Sequence, residues 1–219
     1  PDRMTVRSPG LSATVFDARA VDSGRLPLAR IVERVPGISV ARAGGVGHPT
    51  RVIVRGAEAS PRFHVTDGLP LDDLANRLHL GGPGTTDVVE VISGAPGSAW
   101  GTELVGLAHL VRRSVDETSP ILAIDAEGGG LGWRQLGVST AGRQGAYDWS
   151  FGARNLDTDN EEPNSQYSQT AVAGTFGMRK GDISAQLMFQ GETSEVGLPG
   201  QTLLVPADLD AHEDRTQWL

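Results

Sequence analysis

Histidine, carboxylate, serine and glycine are the side chains here that could do chemistry, and none stands in a reactive arrangement. The five histidines, at positions 48, 64, 79, 109 and 212, include no i, i+4 pair that would hold zinc from one helix face. There is no cysteine, which excludes a zinc-thiolate site, a disulfide framework and a thiol nucleophile. Ser98 in GSAWG lacks the G-x-S-x-G spacing of a hydrolase elbow. GGVGHPT, Gly44 to Thr50, is Gly-rich but is closed by no lysine and followed by no helix, so it does not cradle phosphate as a P-loop does. Asp72 and Asp73, and the group Asp157, Asp159, Glu161 and Glu162, offer hard oxygens to calcium. Without EF-hand spacing, a solvated acidic loop is the simpler reading. Neither an enzyme, a cofactor nor a resident metal is expected.

Bulk properties narrow the partners. The chain has 219 residues, room for one large or two small domains. It carries 27 acidic and 19 basic residues, a formal charge of −8, which disfavours nucleic acid because phosphate contacts need a basic surface. The 29 glycines imply many turns. No run of 18 apolar residues offers a transmembrane helix, and no charged-then-apolar leader opens the chain. A mean hydropathy of −0.20 does not speak against a membrane barrel, whose strands alternate and cancel in the average.

The elements that must position any site differ between the two halves. In the first, residues 5–7 and 14–17 are short strand candidates. Leu28, Ile31, Val32 and Val35 recur at helix spacing over Leu26 to Arg34, and Pro36-Gly37 ends that helix. Ile38 to Ala41 extends, Gly44 to Pro49 turns, and Arg51 to Arg55 alternates as a strand. Gly56 to Ser60 turns back, Phe63 to Thr66 is a strand, and Asp67-Gly68 is a tight turn. Residues 69–84 form a long loop before the strand Val88 to Ile92. This is an α+β pattern: a small mixed sheet with short helices.

From Pro120 the period becomes two. Leu122, Ile124 and Ala126 oppose Asp125 and Glu127, and Leu136 and Val138 oppose Gln135, Gly137 and Ser139. Tyr147, Trp149, Phe151 and Ala153 alternate with Asp148, Ser150, Gly152 and Arg154. Val172, Phe176 and Met178 oppose Ala173, Thr175 and Arg179. Ile183, Ala185, Leu187 and Phe189 alternate with Ser184, Gln186, Met188 and Gln190. A sixth segment starts near Arg215 to Leu219. Each of the five is roughly the ~9–11 residues that cross a bilayer when tilted. Connections at 143–145 and 180–181 are short, while 155–166 and 194–214 are long and acidic, the asymmetry of an outer-membrane barrel. Trp133, Tyr147 and Tyr167 fall near strand ends, where interfacial aromatics belong. Alternation also describes a soluble β-sandwich with one face on a core, so a periplasmic or surface binding module, an α+β domain plus sandwich, is the alternative.

Four cassettes then narrow the choice. LARIVERVPGISV (Leu28 to Val40), RVIVRG (Arg51 to Gly56), VTDGLPL (Val65 to Leu71) and VVEVISGAPGSAWG (Val88 to Gly101) follow one another in an order that resembles the plug domain of TonB-dependent outer-membrane receptors. The chain departs from the family's pattern in places. Ser93 stands where the family has Arg, Ala95 intervenes before Pro96, Trp100 replaces Tyr, and VGLAHLVRR (Val105 to Arg113) replaces the strand leading to the barrel.

The resemblance implies a plug over residues 1–118 and the first antiparallel transmembrane strands of a barrel over 119–219. The family barrel has 22 strands, so a piece of a longer receptor is expected. It implies a Gram-negative outer-membrane location and active import of a scarce nutrient such as an iron-siderophore or cobalamin. The implied partners are the TonB energy-coupling protein, a small-molecule or metal-chelate ligand and outer-membrane lipid. Met4, Thr5, Val6 and Arg7 lie where the TonB-pulled segment would be, pairing as an added strand. In the family, arginines lock the plug to barrel carboxylates. Arg55 and Glu90 are the plug–barrel contact candidates here, and Ser93 cannot serve. Strand connections alternate ends, so residues 43–50 and 69–84 share one end of the plug and 56–61 lies at the other. Facing outward, Val46, His48, Asp72, Asp73, Asn76, Arg77 and His79 are the ligand candidates, since binding residues concentrate on loops held by a rigid scaffold.

Overall fold

The computed structural model describes residues 12–17, 31–42, 44–59, 64–66, 69–70, 86–93, 106–112, 120–199 and 210–218. β1 (Ser12–Asp17), β2 (Ile38–Arg42), β3 (Thr50–Val54), β4 (Ala57–Glu58), β5 (His64–Thr66), β6 (Leu69–Pro70), β7 (Thr86–Ser93) and β8 (Gly106–Arg112) form two N-terminal sheets. One has the order β1-β7-β8-β5-β6 and the other β2-β3-β4. The first is mixed, because β5 and β8 run parallel while its other pairs are antiparallel. The departure VGLAHLVRR is therefore still a strand, and its middle completes the sheet.

β-Branched residues at every second position build the core. Val89 and Val91 of β7, Ala108 and Leu110 of β8, and Val52 and Val54 of β3 turn inward on Ile31, Val32, Val35 and Ile38. Most of the expected helix lies outside the described residues. Its end is seen: Ile31 and Val32 are helical, and their carbonyls accept from the N–H groups of Arg34 and Val35. Gly37 then takes φ 82°, the left-handed stop that glycine supplies. β3 stops at Val54, one residue earlier than the alternation suggests. Arg55 and Gly56 have φ 51° and 86°, the two-residue turn whose twist matches a hairpin. That turn pairs Ala57 and Glu58 back onto β3 as β4, where the sequence suggested only a turn.

The second half is one antiparallel meander. β9 (Ile121–Gly128), β10 (Arg134–Gln144), β11 (Tyr147–Thr158), β12 (Tyr167–Lys180), β13 (Ile183–Gly197) and β14 (His212–Trp218) lie side by side in chain order. All five period-2 segments are strands, and the sixth is β14. Turns at 145–146 and 181–182 close one end; residues 129–133, 159–166 and 198–211 connect the strands at the other.

Register puts like with like across this sheet. Gly142, Trp149, Phe176 and Leu187 share one row, and Leu122, Thr140, Phe151, Gly174 and Phe189 the next. This face is apolar and exposed: Leu122 is 69% accessible, Ile124 70% and Leu187 65%. The opposite face buries polar groups, among them Ser150, Arg154, Gln169, Thr175, Glu192 and Ser194. A soluble sandwich would do the reverse, hiding the apolar face on a second sheet. The outward face is finished by aromatic rings laid over cross-strand glycines. A Cβ on Gly174 would meet Phe151 at 2.5 Å and Phe189 at 2.4 Å, so glycine there leaves room for both rings.

One expected interfacial aromatic falls elsewhere. Tyr167 pairs with Thr158 and Val196, which gives it inward parity, and it is 1% exposed. Tyr147 does sit on the outward face, 48% exposed. Trp133 is half-buried against the cluster of Leu156, Tyr167 and Val196.

Candidate functional site: a joint between the N-terminal loop and the meander

β2 and β3 are antiparallel, so the connection between them projects from one end of their sheet. That connection carries three glycines, at 44, 45 and 47, and lands on the meander at the end of its long connections. Val46 donates its N–H to Asn160 Oδ1 at 2.9 Å, and Asn160 Nδ2 donates back to the Val46 carbonyl at 3.0 Å. One carboxamide thus gives Val46 both partners that a neighbouring strand would give. The same Nδ2 reaches the Ser165 carbonyl at 2.5 Å.

Asn160 is held in that pose by its own loop. Its φ is 56°, left-handed backbone that Asn tolerates better than most residues. Its N–H donates to Thr158 Oγ1 at 3.3 Å, and Thr158 Oγ1 donates to the Leu131 carbonyl at 3.0 Å. Ser165, 1% exposed, donates to the Glu162 carbonyl. The loop read as a solvated acidic connector is internally fastened around this asparagine.

The other contacts are close approach and burial. Gly47 has φ 88°, and a Cβ there would lie 2.2 Å from Tyr167 Cδ2, so the backbone rests directly on the ring. Val46 and Trp133 pack on the cluster of Leu156, Tyr167 and Val196. His48 is buried, and its Nε2–H donates to the Gly197 carbonyl at 3.2 Å. His48 Nδ1 has no hydrogen-bond partner among the described residues. None of the contacts named at the joint is an ion pair.

Of the ligand candidates, Val46 and His48 come together here, Val46 bonded to Asn160 in the connection between β11 and β12 and His48 to Gly197 at the end of β13. Asp72, Asp73, Asn76, Arg77 and His79, and the segment Met4 to Arg7, lie outside the described residues. Arg55 is exposed in its hairpin turn, at the opposite end of β3 from the joint, with its backbone N–H on the Gly37 carbonyl at 2.7 Å. Glu90 is buried inside the N-terminal sheet, its Oε2 3.4 Å from His109 Nδ1 on the adjoining strand. Ser93 is buried at the end of β7, opposite Ser12 and Gly106. Among the described residues the fastening of the loop to the meander therefore runs through Asn160 and Gly197, which the sequence did not single out, and through Tyr167, which it placed among the interfacial aromatics.

No protein-family model matches the chain. The vitamin B12 transporter BtuB of Vibrio vulnificus (strain CMCP6) is 27% identical over 111 residues, 49% of this chain and 18% of the transporter's own length. The chain thus spans about a fifth of that relative. The pyoverdine outer membrane receptor FpvA from Pseudomonas aeruginosa PAO1, bound to pyoverdine, superposes with a TM-score of 0.69 at 17% identity, over 84% of this chain and 28% of that one. The copper transporter OprC superposes with a TM-score of 0.67 at 17% identity, over 84% and 31%. The fold shared with these receptors, the sequence likeness to the vitamin B12 transporter and the outward apolar face agree. The chain resembles TonB-dependent receptors of the Gram-negative outer membrane, in fold over most of its length and in sequence over about half of it.

Proposed function

We propose that residues 1–118 are a plug, that residues 119–219 begin the barrel wall around it, and that the receptor imports an iron-siderophore, cobalamin or similar chelate by TonB-driven movement of the plug. The observation that carries this is the joint: a loop of the N-terminal sheets is fastened to the inward face of a sheet whose other face is apolar. A gate has to be attached to the wall it closes, and neutral hydrogen bonds release more readily than buried ion pairs. The long connections at the joint's end correspond to the external side of such barrels. That supports an outward-facing place for the ligand candidates Asp72, Asp73, Asn76, Arg77 and His79, and a periplasmic role for Met4 to Arg7. Further strands are proposed to close the wall, because among the described residues β9 and β14 each have one neighbour in the sheet and open edges do not persist in lipid.

The test is accumulation of radiolabelled cobalamin, ferric siderophores and copper in cells carrying the receptor, with and without TonB. One cargo is expected to accumulate only when TonB is present. Accumulation of none of them, or accumulation indifferent to TonB, would overturn the reading. The wall has its own test. Leu187→Arg puts a charge in the middle of the apolar face and is expected to cost roughly 2 to 4 kcal/mol of folding into phospholipid vesicles, read from the denaturant midpoint. An unchanged midpoint would take that face out of lipid.

A further inference from the structure

The region of the joint buries polar atoms that it does not bond. Gln169 of β12 is 2% exposed, and neither its Oε1 nor its Nε2 has a hydrogen-bond partner among the described residues. His48 Nδ1, on the docked loop, is another such atom. The main-chain carbonyl of Gln169 does accept, from Asn155 Nδ2 at 3.3 Å, so the deficit belongs to the side chain. Most buried side-chain polar atoms find partners, and one left without them costs the arrangement that buries it.

Its place is next to the footing of the docked loop. By register Gln169 stands between Leu156 and Ser194, and Tyr167 is the preceding residue of inward parity on β12. Leu156, Tyr167 and Val196 form the cluster on which Val46 packs. An apolar side chain at 169 would extend that cluster by one residue; the carboxamide interrupts it. Two carboxamides thus stand in contrast. Asn160 spends its donor and acceptor on the peptide groups of Val46, whereas Gln169 keeps both unspent while shut from solvent.

We propose that Gln169 is a release-setting residue of the joint: its unbonded carboxamide opposes docking of the 44–48 loop and is solvated when the loop leaves. A group shifts an equilibrium only by the difference in its free energy between the two states. This side chain has such a difference, since undocking gives its donor and acceptor water. Asn160 has one of the opposite sign, since undocking breaks its bonds to Val46. The balance of the two sets how readily a pull frees the loop, and a gate that must open for every cargo needs that balance to be close. The inference rests on the reading of the joint as a gate's fastening.

The test is Gln169→Met, which keeps the length of the side chain and removes its donor and acceptor. In the full receptor in detergent micelles, amide exchange of residues 44–50 is expected to slow at least about fivefold, with exchange in β7 and β8 unchanged. Gln169→Leu, of different shape, should act in the same direction, so the effect belongs to lost polarity and not to the fit of one side chain. Equal or faster exchange in both variants would mean that the carboxamide is indifferent or bonded in the docked state, and would overturn the proposal. In cells, TonB-dependent uptake of radiolabelled cobalamin, ferric siderophore or copper, whichever the parent accumulates, should slow severalfold in Gln169→Met. Surface binding of that cargo without TonB should stay the same, and adding Asn160→Gly should restore the rate. A parental uptake rate alongside slowed exchange would overturn the role in release. Exchange needs neither cargo nor TonB, so a parent that imports none of the three sinks the import reading and leaves exchange to decide this one.

Discussion

Gly47→Ala is expected to open the joint, at a cost of roughly 2 to 5 kcal/mol. Two penalties act together. A side chain held in left-handed backbone costs about 1 to 2 kcal/mol, and Gly47 sits at φ 88°. Forcing a methyl into a packed site costs typically 1 to 3 kcal/mol, and this one would lie 2.2 Å from the Tyr167 ring. The ring cannot swing clear, because Tyr167 is 1% exposed between Leu156 and Val196. Hydrogen exchange reads the result directly. The amides of 44–50 should lose protection in the variant while those of β7 and β8 keep theirs. Tyr167→Ala separates the two penalties, since in its background the steric part vanishes and only the backbone part remains. Unchanged exchange in Gly47→Ala would mean that the loop is not docked.

Asn160→Ala should cost about 3 kcal/mol at the same joint. It removes the hydrogen bonds to both backbone groups of Val46 and the one to Ser165. Each is worth about 1 kcal/mol, and more where the abandoned partner stays buried. Alanine is also a poor fit to φ 56°. Asn160→Gly relieves the backbone and still loses all three bonds, so it should recover only about 1 kcal/mol of the loss. A glycine variant as stable as the parent would show that the residue is chosen for its conformation and not for its bonds to Val46. Exchange at Val46 and Gly47, followed together with thermal unfolding, distinguishes the two.

What could be read in the sequence follows from how far each determinant reaches along the chain. The meander was legible from side-chain alternation alone, because Leu136 and Val138, Tyr147, Trp149 and Phe151, and Ile183, Ala185, Leu187 and Phe189 recur at every second position of their strands. The strand ends were not. β12 and β13 run to 14 and 15 residues, and stretches such as Gly191 to Gly197 leave the apolar band, so the alternation stops while the pairing continues. In the N-terminal sheets Val52, Val54, Val89 and Val91 announced themselves, but the two-residue pairing of β4 depends on the left-handed turn at Arg55.

The joint was half visible. The glycines of the 44–47 loop signalled only a turn, and the hairpin geometry gave its end of the sheet. Its partners lie 114 residues away at Asn160 and 149 away at Gly197, and no local pattern links such positions. Asn160 was hidden among acidic loop residues. Its one signal was a residue type that accepts left-handed backbone and can bond to a peptide group. Tyr167 was misread because nearness to a strand end says nothing of parity, and its parity turns it inward.

The height of the joint along β12 has a consequence for handling the molecule. The outward apolar run of that strand begins at Val172, and Tyr167 comes five residues earlier. At a rise of ~3.3 Å per residue and a tilt of ~45° that is roughly 12 Å beyond the apolar run. On the proposed lipid-facing reading, the fastening therefore stands in the aqueous layer beside the bilayer. Since these 219 residues hold no cysteine, a single thiol introduced at Val46 would be a unique label on this segment. On the proposed orientation, a reagent unable to cross lipid would then count, from outside an intact cell, how often the loop leaves the meander.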